Sequence, residues 1–495
     1  MTFRRVALIL VLVVGFTPPA EAYDPATTHA GMTERAALHK NLLHSYLSSV
    51  HGLPLGIFEP VRLDPMRVPY LLREDLRQHL KDLDPAHGYR PDHNHNNRAL
   101  SWLAAGSVLE EMPFTRGRNH FFNPRNGRGL RNSTGRWGLS LRMRVLDFMD
   151  GHGNFGGIWT GSNFNLNGKS ALRWATHRFN ELNLSQHHKH RLAALISPTQ
   201  AARRHHLAMA LLTAGALLHL LQDMAVPAHV RNDFVGTYLV RRSNIRLDRA
   251  SAYETYVRKQ WGRSGIPKVS GTIPSYSRLR DFFRNRAGTG LADYTQRSFF
   301  SLGSLPTGFR IARGDSPTDV LETLRKSIRI PSPHIPRLHL GLAKRGGVYF
   351  GSAENPYIFA YRINRGGTLE LTLDKSCYKA SATRLIPRAT RYSAGFLRFL
   401  LRGRLEILRR GKQLVVTHSG PDLAAGKLTV LWEDSKGRRT PLQQVDTKAG
   451  LKPGAVLLTL PPGSKPQAAQ WLVFAWSGKD AAGEQLTMGG RWRKP

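Results

Sequence analysis

The stretch His219-Leu220-Leu221-Gln222-Asp223-Met224-Ala225-Val226-Pro227-Ala228-His229 is the most informative part of the sequence. It ends an apolar helical run from Leu207 to Leu221, and Pro227 favours a helix end close by. His219 and Asp223 are four residues apart, which places both side chains on one helix face. A buried imidazole and carboxylate are costly unless something satisfies them. A divalent metal does so, and His with Asp suits zinc; a buried His–Asp ion pair is the alternative.

Three further groups of residues accompany this stretch. Thr28-His29-Ala30-Gly31-Met32-Thr33 lies near the N-terminus, and Tyr253-Glu254-Thr255-Tyr256-Val257 lies downstream. Between them, Gly106-Ser107-Val108-Leu109-Glu110-Glu111 precedes Asn119-His120-Phe121-Phe122-Asn123-Pro124. In kind and in order these segments resemble the zinc-dependent phospholipase C and S1/P1 nuclease superfamily, over residues 23–305. No single motif carries the resemblance.

The resemblance implies a pair of zinc ions that share one carboxylate. His120, His219 and Asp223 would bind the first ion, and Asp223 would bridge to a second. His29 would hold the second ion together with the amine and carbonyl of the mature N-terminus, which would be Tyr23. Backbone atoms do that binding, so a tyrosine in place of the family's tryptophan is tolerable. The expected cofactor is Zn²⁺, with two ions per chain and a third if its site is complete.

The third site of the resemblance is incomplete in this sequence. His229 in the turn and Glu254 on a later helix match the family's ligands, but the position four before Glu254 is Ala250, which cannot bind metal. Either Asp233 or Asp248 replaces the missing ligand, or the third site is empty. An empty third site would weaken binding of one phosphate oxygen and leave the zinc pair intact. Asn232, three residues beyond His229, matches a family position near the substrate.

The family also places an acidic residue before the His-Phe loop, as the base or orienting group for the attacking water. Glu111 aligns best with that catalytic position, and Glu110 is the alternative. The family phospholipases use Asp there, so a Glu moves the carboxylate by one methylene. A solvated loop acid is the ordinary interpretation of either residue.

The first 22 residues have the features of a secretory leader. Arg4 and Arg5 precede the apolar segment Val6–Phe16, and Ala20-Glu21-Ala22 supplies small residues for cleavage. A secreted or periplasmic location is therefore expected, with an uncleaved anchor as the alternative. Cys377 is the only cysteine, which excludes an intrachain disulfide.

The chain carries a formal net charge of +38, from 72 Lys and Arg against 34 Asp and Glu. Such an excess predicts attraction to phosphate-rich surfaces, either anionic membranes or nucleic acid, without choosing between them. A GC-rich coding sequence would give a similar arginine excess without any functional reason.

The periodicity predicts a mainly α protein in two parts. Residues 23–305 have helical patterning, residues 306–345 are rich in Pro, Gly and Arg and resemble a linker, and residues 346–495 alternate as in a β-sandwich. One basic helix is expected inside the β-domain, with its arginines on one stripe: Arg384, Arg388, Arg391, Arg398 and Arg402. The stripe is interpreted as a membrane-surface face, or else as a solvated face of a packed helix.

Together these features predict an exported, monomeric, zinc-dependent phosphodiester hydrolase. Phospholipase C-like cleavage of phospholipid head groups is favoured by the His-Phe-Phe-Asn-Pro loop, by the added β-domain and by the single cysteine. An S1/P1-type nuclease acting on single-stranded nucleic acid is the first alternative. A basic surface-binding protein with impaired catalysis is the second, and Ala250 is its support.

Overall fold

The structure is a computed structural model that describes residues 25–68, 80, 88–112, 114–130, 168–233, 251–261, 265–305, 309–310, 339–342, 348–351, 354–363, 368–461 and 470–493. The leader predicted over residues 1–22, together with Tyr23 and Ala250, lies outside the described residues.

The described helices gather around one long apolar helix. They are α1 (Ala30–Leu38), α2 (Leu42–His51), α3 (Ala99–Leu109), α4 (Ala171–Trp174), α5 (Leu184–Ile196), α6 (Gln200–Gln222), α7 (Pro227–Arg231), α8 (Ala252–Gln260), α9 (Leu279–Phe283), α10 (Leu291–Ser298) and α11 (Lys375–Leu400). Single helical turns lie at Pro25–His29, His39–Asn41, Gly56–Phe58, Pro65–Arg67, Phe114–Asn119, Asp223–Ala225 and Leu302–Ser304.

Helix α6 is the centre of the helical unit. Thr199 caps its N-terminus by accepting the backbone N–H of Ala202. Leucine and alanine side chains are buried around the whole helix, as expected of a helix that lies inside a core. The stretch Gln200–Ala225 is long and apolar enough to cross a membrane, but its apolar window is entirely buried in the fold. It therefore serves as the core helix that the sequence predicted.

Two glycines bring α3 and α6 into backbone contact. A Cβ at Gly106 would overlap the carbonyl of Leu212, and a Cβ at Gly215 would overlap the carbonyl of Leu103. Space alone therefore excludes larger residues at both positions. The close approach sets the end of α3, with Ser107, against the last turns of α6, where the predicted metal ligands lie.

The strands in the described part of the chain form a two-stranded pair and three larger sheets. They are β1 (Pro60–Arg62), β2 (Asn96–Arg98), β3 (Phe309–Arg310), β4 (His339–Leu342), β5 (Val348–Gly351), β6 (Phe359–Ile363), β7 (Thr368–Thr372), β8 (Arg404–Arg410), β9 (Gln413–Ser419), β10 (Leu423–Glu433), β11 (Arg439–Thr447), β12 (Leu458–Leu460), β13 (Trp471–Asp480) and β14 (Gln485–Arg493). Apart from the β1–β2 pair, the sheet orders are β11-β10-β13-β14, β12-β9-β8 and β3-β7-β6-β5-β4, all antiparallel.

Strands β13 and β14 of the four-stranded sheet are buried on both faces along most of their first halves, whereas β11 is mostly exposed. Phe474 and Trp476 on β13 pack into a core shared with the three-stranded sheet, whereas Ala475 belongs to the helical core. On β14, a Cβ at Gly489 would lie 2.7 Å from Cγ1 of Val50 on α2, so only glycine allows this approach. The four-stranded and three-stranded sheets form a sandwich, and the helical unit covers the outer face of the four-stranded sheet.

A buried arginine cluster ties the sandwich to the helical unit. Glu433 at the end of β10 accepts hydrogen bonds from Arg439 at 2.7 Å, Arg491 at 2.9 Å and Arg203 at 3.3 Å. Arg439 also donates to the carbonyl of Leu195 at the end of α5. One carboxylate therefore holds three cations that lie between the two units.

Two parts of the predicted organisation differ in the structure. Residues 306–345, predicted as a linker, contribute β3 and β4, which pair with β7 and β5. The helix predicted from Arg384 to Arg402 inside the β-domain runs from Lys375 to Leu400 and packs on α1 and α6, with Leu385 in the helical core. Sequence periodicity identifies an apolar helix face but does not identify the element that covers it.

The predicted arginine stripe is only partly solvated. Arg398 is exposed, whereas the other four arginines are half-buried. The guanidinium carbon of Arg388 lies 3.4 Å from the ring centroid of Tyr294, and Arg402 pairs with Asp480 at 3.0 Å. These contacts leave a smaller free basic face than the sequence predicted.

Candidate metal centre

The last turn of α6 holds the first pair of candidate ligands. His219 and Asp223 are fully buried, and Nε2 of His219 lies 3.3 Å from Oδ2 of Asp223. Nδ1–H of His219 donates to the carbonyl of Ser107 at 2.6 Å. That hydrogen bond fixes the tautomer and leaves Nε2 as the nitrogen that faces the carboxylate.

Asp223 is the centre of the cluster. Its Oδ2 lies 3.0 Å from Nδ1 of His120 and 3.3 Å from Nε2 of His219. Its Oδ1 lies 3.4 Å from Nε2 of His29 and 3.5 Å from Nδ1 of His229. Neither oxygen has a regular hydrogen bond to any residue that the structure describes. Two imidazoles on each oxygen of one buried carboxylate is the arrangement of a bridging ligand.

His29 is oriented by a residue that the sequence reasoning missed. Its Nδ1 donates to Oε1 of Gln222 at 2.7 Å, so Nε2 faces Asp223. The amide nitrogen of Gln222 donates to Thr33 at 3.0 Å and to Ser393 at 3.2 Å. The position of Gln222 next to Asp223 could have pointed to a role in the site, but its partners Thr33 and Ser393 lie far away in sequence.

The two glutamates before the His-Phe loop have different surroundings. Oε2 of Glu111 lies 3.1 Å from Nε2 of His219 and 3.4 Å from Nδ1 of His120, inside the cluster. Glu110 lies on the other side of His120: its Oε1 lies 3.6 Å from Nε2 of His120, and its two oxygens accept from Trp174 at 2.8 Å and from Arg116 at 2.6 Å. Glu110 is therefore bound by buried donors and, among the described candidate ligands, contacts only His120, whereas Glu111 contacts both His120 and His219.

The predicted third site is present in part. Nε2 of His229 lies 3.4 Å from Oε1 of Glu254, and the His229 ring stacks on Phe121 with centroids 4.6 Å apart. Glu254 also accepts the backbone N–H of Ser251 at 2.7 Å with its other oxygen, because Ser251 is the N-cap of α8 and Glu254 completes its capping box. Asn232 ends α7 with a left-handed backbone (φ 52°) and donates to the carbonyl of Gly129 at 2.9 Å. The predicted substrate residue therefore also has a role in the turn.

The carboxylates and imidazoles of the cluster shift one another's pKa values. Burial lowers the pKa of His219, but Asp223 and Glu111 outweigh this effect and raise that pKa to about 9. Burial likewise opposes ionisation of Asp223, yet His219 and His229 hold its pKa well below the usual range. Burial and the neighbouring His219 lower the pKa of His29, so this imidazole is neutral. The positive charge that these carboxylates favour at His120 and His219 is the charge that a bound metal ion would supply instead.

The donor set fits zinc. Two triplets place their ligand atoms within 4.8 Å of one another: His29, His219 and Asp223, and Glu111, His120 and His219. Imidazole and carboxylate are zinc ligands, and Asp223 and Glu111 present buried oxygens that accept no hydrogen bond from the described residues. His29, His120, His219 and Asp223 would hold a pair of ions, and Glu111, His229 and Glu254 lie beside them.

The chain is similar to two solved toxin structures. It matches the alpha toxin from Clostridium absonum with 10% identity over 96% of each chain and a TM-score of 0.26. It matches the Clostridium perfringens alpha-toxin from avian strain SWCP with 12% identity, over 96% of this chain and 99% of that chain, also with a TM-score of 0.26. No protein-family model and no curated protein matches. TM-scores of this size carry no weight on fold or activity.

Proposed function

We propose that this chain is a zinc-dependent phosphodiester hydrolase that cleaves the head groups of phospholipids. The observation that supports the proposal best is Asp223, a fully buried carboxylate with two histidines on each oxygen. Zinc bound there would supply positive charge for a phosphoryl oxygen and make water nucleophilic at neutral pH. Export through the leader, a monomeric state and contact with anionic membranes belong to the same proposal.

The protein residues divide the remaining work. Glu111 is the outermost acid of the cluster, with its side chain 11% exposed where those of His120, His219 and Asp223 are fully buried. We assign it the role of accepting the proton of the attacking water. Gln222 and Ser107 hold His29 and His219 in the tautomers that direct Nε2 towards Asp223.

Phospholipid is favoured over nucleic acid by the His-Phe-Phe-Asn-Pro loop, by the β-domain and by the single cysteine. The net charge of +38 suits a polynucleotide equally well, so an S1/P1-type nuclease is the second candidate.

Two measurements test the proposal. Metal analysis of the purified mature protein should find at least two zinc ions per chain, and phosphatidylcholine vesicles should release phosphocholine. Chelation should abolish release, and added zinc should restore it. His219→Ala should lose zinc and activity, whereas His206→Ala, on α6 but outside the cluster, should keep both. Release of mononucleotides from single-stranded DNA without phosphocholine would establish the second candidate, and full activity of metal-free wild type would refute both.

A further inference from the structure

A large cavity lies beside the metal centre and is separate from it. It has a volume of about 1330 Å³ and is bounded by the loop after His120, by α4, and by the segment from residue 276 to 297. Phe122 lines it, while the neighbouring Phe121 stacks on His229. None of the candidate metal ligands that the structure describes borders this cavity.

Arginine dominates the walls. Among the residues that the structure describes, seven arginines and three acidic residues line the cavity, an excess of four positive charges. The acids are already engaged: Asp293 accepts from the backbone of Asn285 at 3.0 Å, and Glu484 accepts from the backbone of Leu279 at 3.3 Å. Asp281 lies 3.5 Å from Arg280. Asp293 also interacts electrostatically with Arg284 and Arg297, and Glu484 with Arg278, but three acids cannot balance seven arginines.

Most of the guanidinium groups form no close salt bridge. Arg297 pairs with Glu354 at 3.5 Å outside the cavity. Five others have no carboxylate oxygen within salt-bridge distance among the residues that the structure describes: Arg125, Arg173, Arg278, Arg284 and Arg286. They come from three separate segments and converge on one space. Like charges brought together in this way repel one another, and an anion in the cavity would relieve that repulsion.

The chemistry of the walls identifies the anion. Guanidinium groups bind phosphate through paired N–H donors in a fixed fork. A phosphomonoester carries about −1.5 to −2 charge, so roughly two or three such groups balance the excess of four. Hydroxyl groups of Thr176, Thr289 and Tyr276 also border the space. A flat bilayer surface does not enter a cavity, whereas a phosphorylated head group or a soluble polyphosphate does.

We propose that this cavity binds a compact anion with several phosphate groups, at a site distinct from the metal centre. The proposal does not depend on the proposed hydrolase activity. A phosphorylated lipid head group bound in the cavity would hold the protein against a membrane surface. A soluble polyphosphate bound there would instead act as an effector. Neither role changes the metal ligands.

Calorimetric titration of the full chain with inositol trisphosphate tests the proposal. We expect wild type to bind, and Arg278→Gln with Arg284→Gln to weaken binding by at least about tenfold. Arg409→Gln with Arg410→Gln removes the same charge from the exposed end of β8 and should leave binding unchanged. All four arginines are exposed, so both double variants should fold, which thermal unfolding verifies. If inositol trisphosphate bound at the metal centre instead, both double variants would bind it as wild type does. This outcome distinguishes the metal centre from the cavity.

Vesicles containing phosphatidylinositol bisphosphate distinguish the two sources of the phosphate groups. Vesicle binding that inositol trisphosphate displaces would identify a lipid head group as the ligand, and binding of the soluble compound alone would identify a free effector; both support the site. Absence of binding to wild type, or equal binding by the two double variants, would overturn it. Tight binding of oligothymidine that inositol trisphosphate does not displace would also overturn it, in favour of an extended polynucleotide groove.

Discussion

Gln222 accepts the Nδ1–H of His29 at 2.7 Å, although the two residues are 193 positions apart. The amide of Gln222 is held in turn by the hydroxyls of Thr33 and Ser393. This chain of hydrogen bonds decides which nitrogen of His29 faces Asp223. A neutral residue that contacts no substrate therefore sets the geometry of a ligand.

Replacing Gln222 tests that relationship. Gln222→Leu removes the acceptor and frees the imidazole to rotate, so we expect zinc affinity to fall about 10- to 100-fold. Gln222→Glu keeps an acceptor and should retain most of the affinity. Competition titration with a zinc indicator measures both. Wild-type affinity in Gln222→Leu would show that the hydrogen bond has no role in metal binding.

The two neighbouring glutamates should separate function from stability. Glu111→Gln should keep the fold and lower turnover by roughly 100-fold, the usual scale for a lost general base. Glu110→Gln leaves the buried Arg116 without its carboxylate and should lower the free energy of unfolding by about 3 kcal/mol. Urea unfolding and phosphocholine release measure the two effects. The opposite pattern would exchange the roles assigned to these residues.

The arginine cluster around Glu433 should stabilise the packing of the sandwich against the helical unit. Glu433→Gln leaves Arg203, Arg439 and Arg491 together without a counter-charge, so we expect a loss of about 3–5 kcal/mol. Asp434→Asn is the matched control, because Asp434 pairs with Arg438, whose side chain is 70% exposed. Chemical denaturation of both variants gives the comparison. Similar losses in the two variants would mean that the buried cluster does not stabilise the fold.

Acid should destabilise the protein through buried neutral histidines. Burial, reinforced by Arg439 and Arg191, lowers the pKa of His51 to about 3, against 6.5 when unfolded. The unfolded chain therefore binds the proton first, and the stability from a neutral His51 is complete above pH 6.5 and is lost as pH falls towards 3. The slope for one such residue is about 1.4 kcal/mol per pH unit.

His51→Gln isolates that contribution. The difference in unfolding free energy between wild type and His51→Gln should shrink between pH 6.5 and 4.5, because both proteins share every other titrating group. A difference that stays constant over this range would mean that His51 is protonated in the folded protein.

A structural feature can be predicted from the sequence when the residues that form it are close together in the chain. The four-residue spacing of His219 and Asp223 is local, and the structure places both residues on one buried face as expected. His29, His120 and His229 were identified through the family resemblance, and they do gather at Asp223. Zinc itself, the substrate and the catalytic role of Glu111 stay predictions.

What the sequence did not predict depends on packing between distant segments. Ser393 and Gln222 are 171 residues apart, and no local pattern connects them. The same limit explains α11, whose apolar face was recognised but whose partner, the helical core, was not. The spacing of the arginines on one helix could be predicted, but the ion pair of Arg402 could not, because its partner Asp480 lies 78 residues away.

The hydroxyl of Ser393 also has a consequence for the order of events in biosynthesis. As the chain leaves the ribosome, His29, His120 and Asp223 emerge long before α11 does. Until Ser393 has been synthesised and α11 has docked on α6, the amide of Gln222 lacks one of its two hydroxyl partners. The nascent chain therefore cannot complete the support of His29, and maturation of the metal centre is a late step.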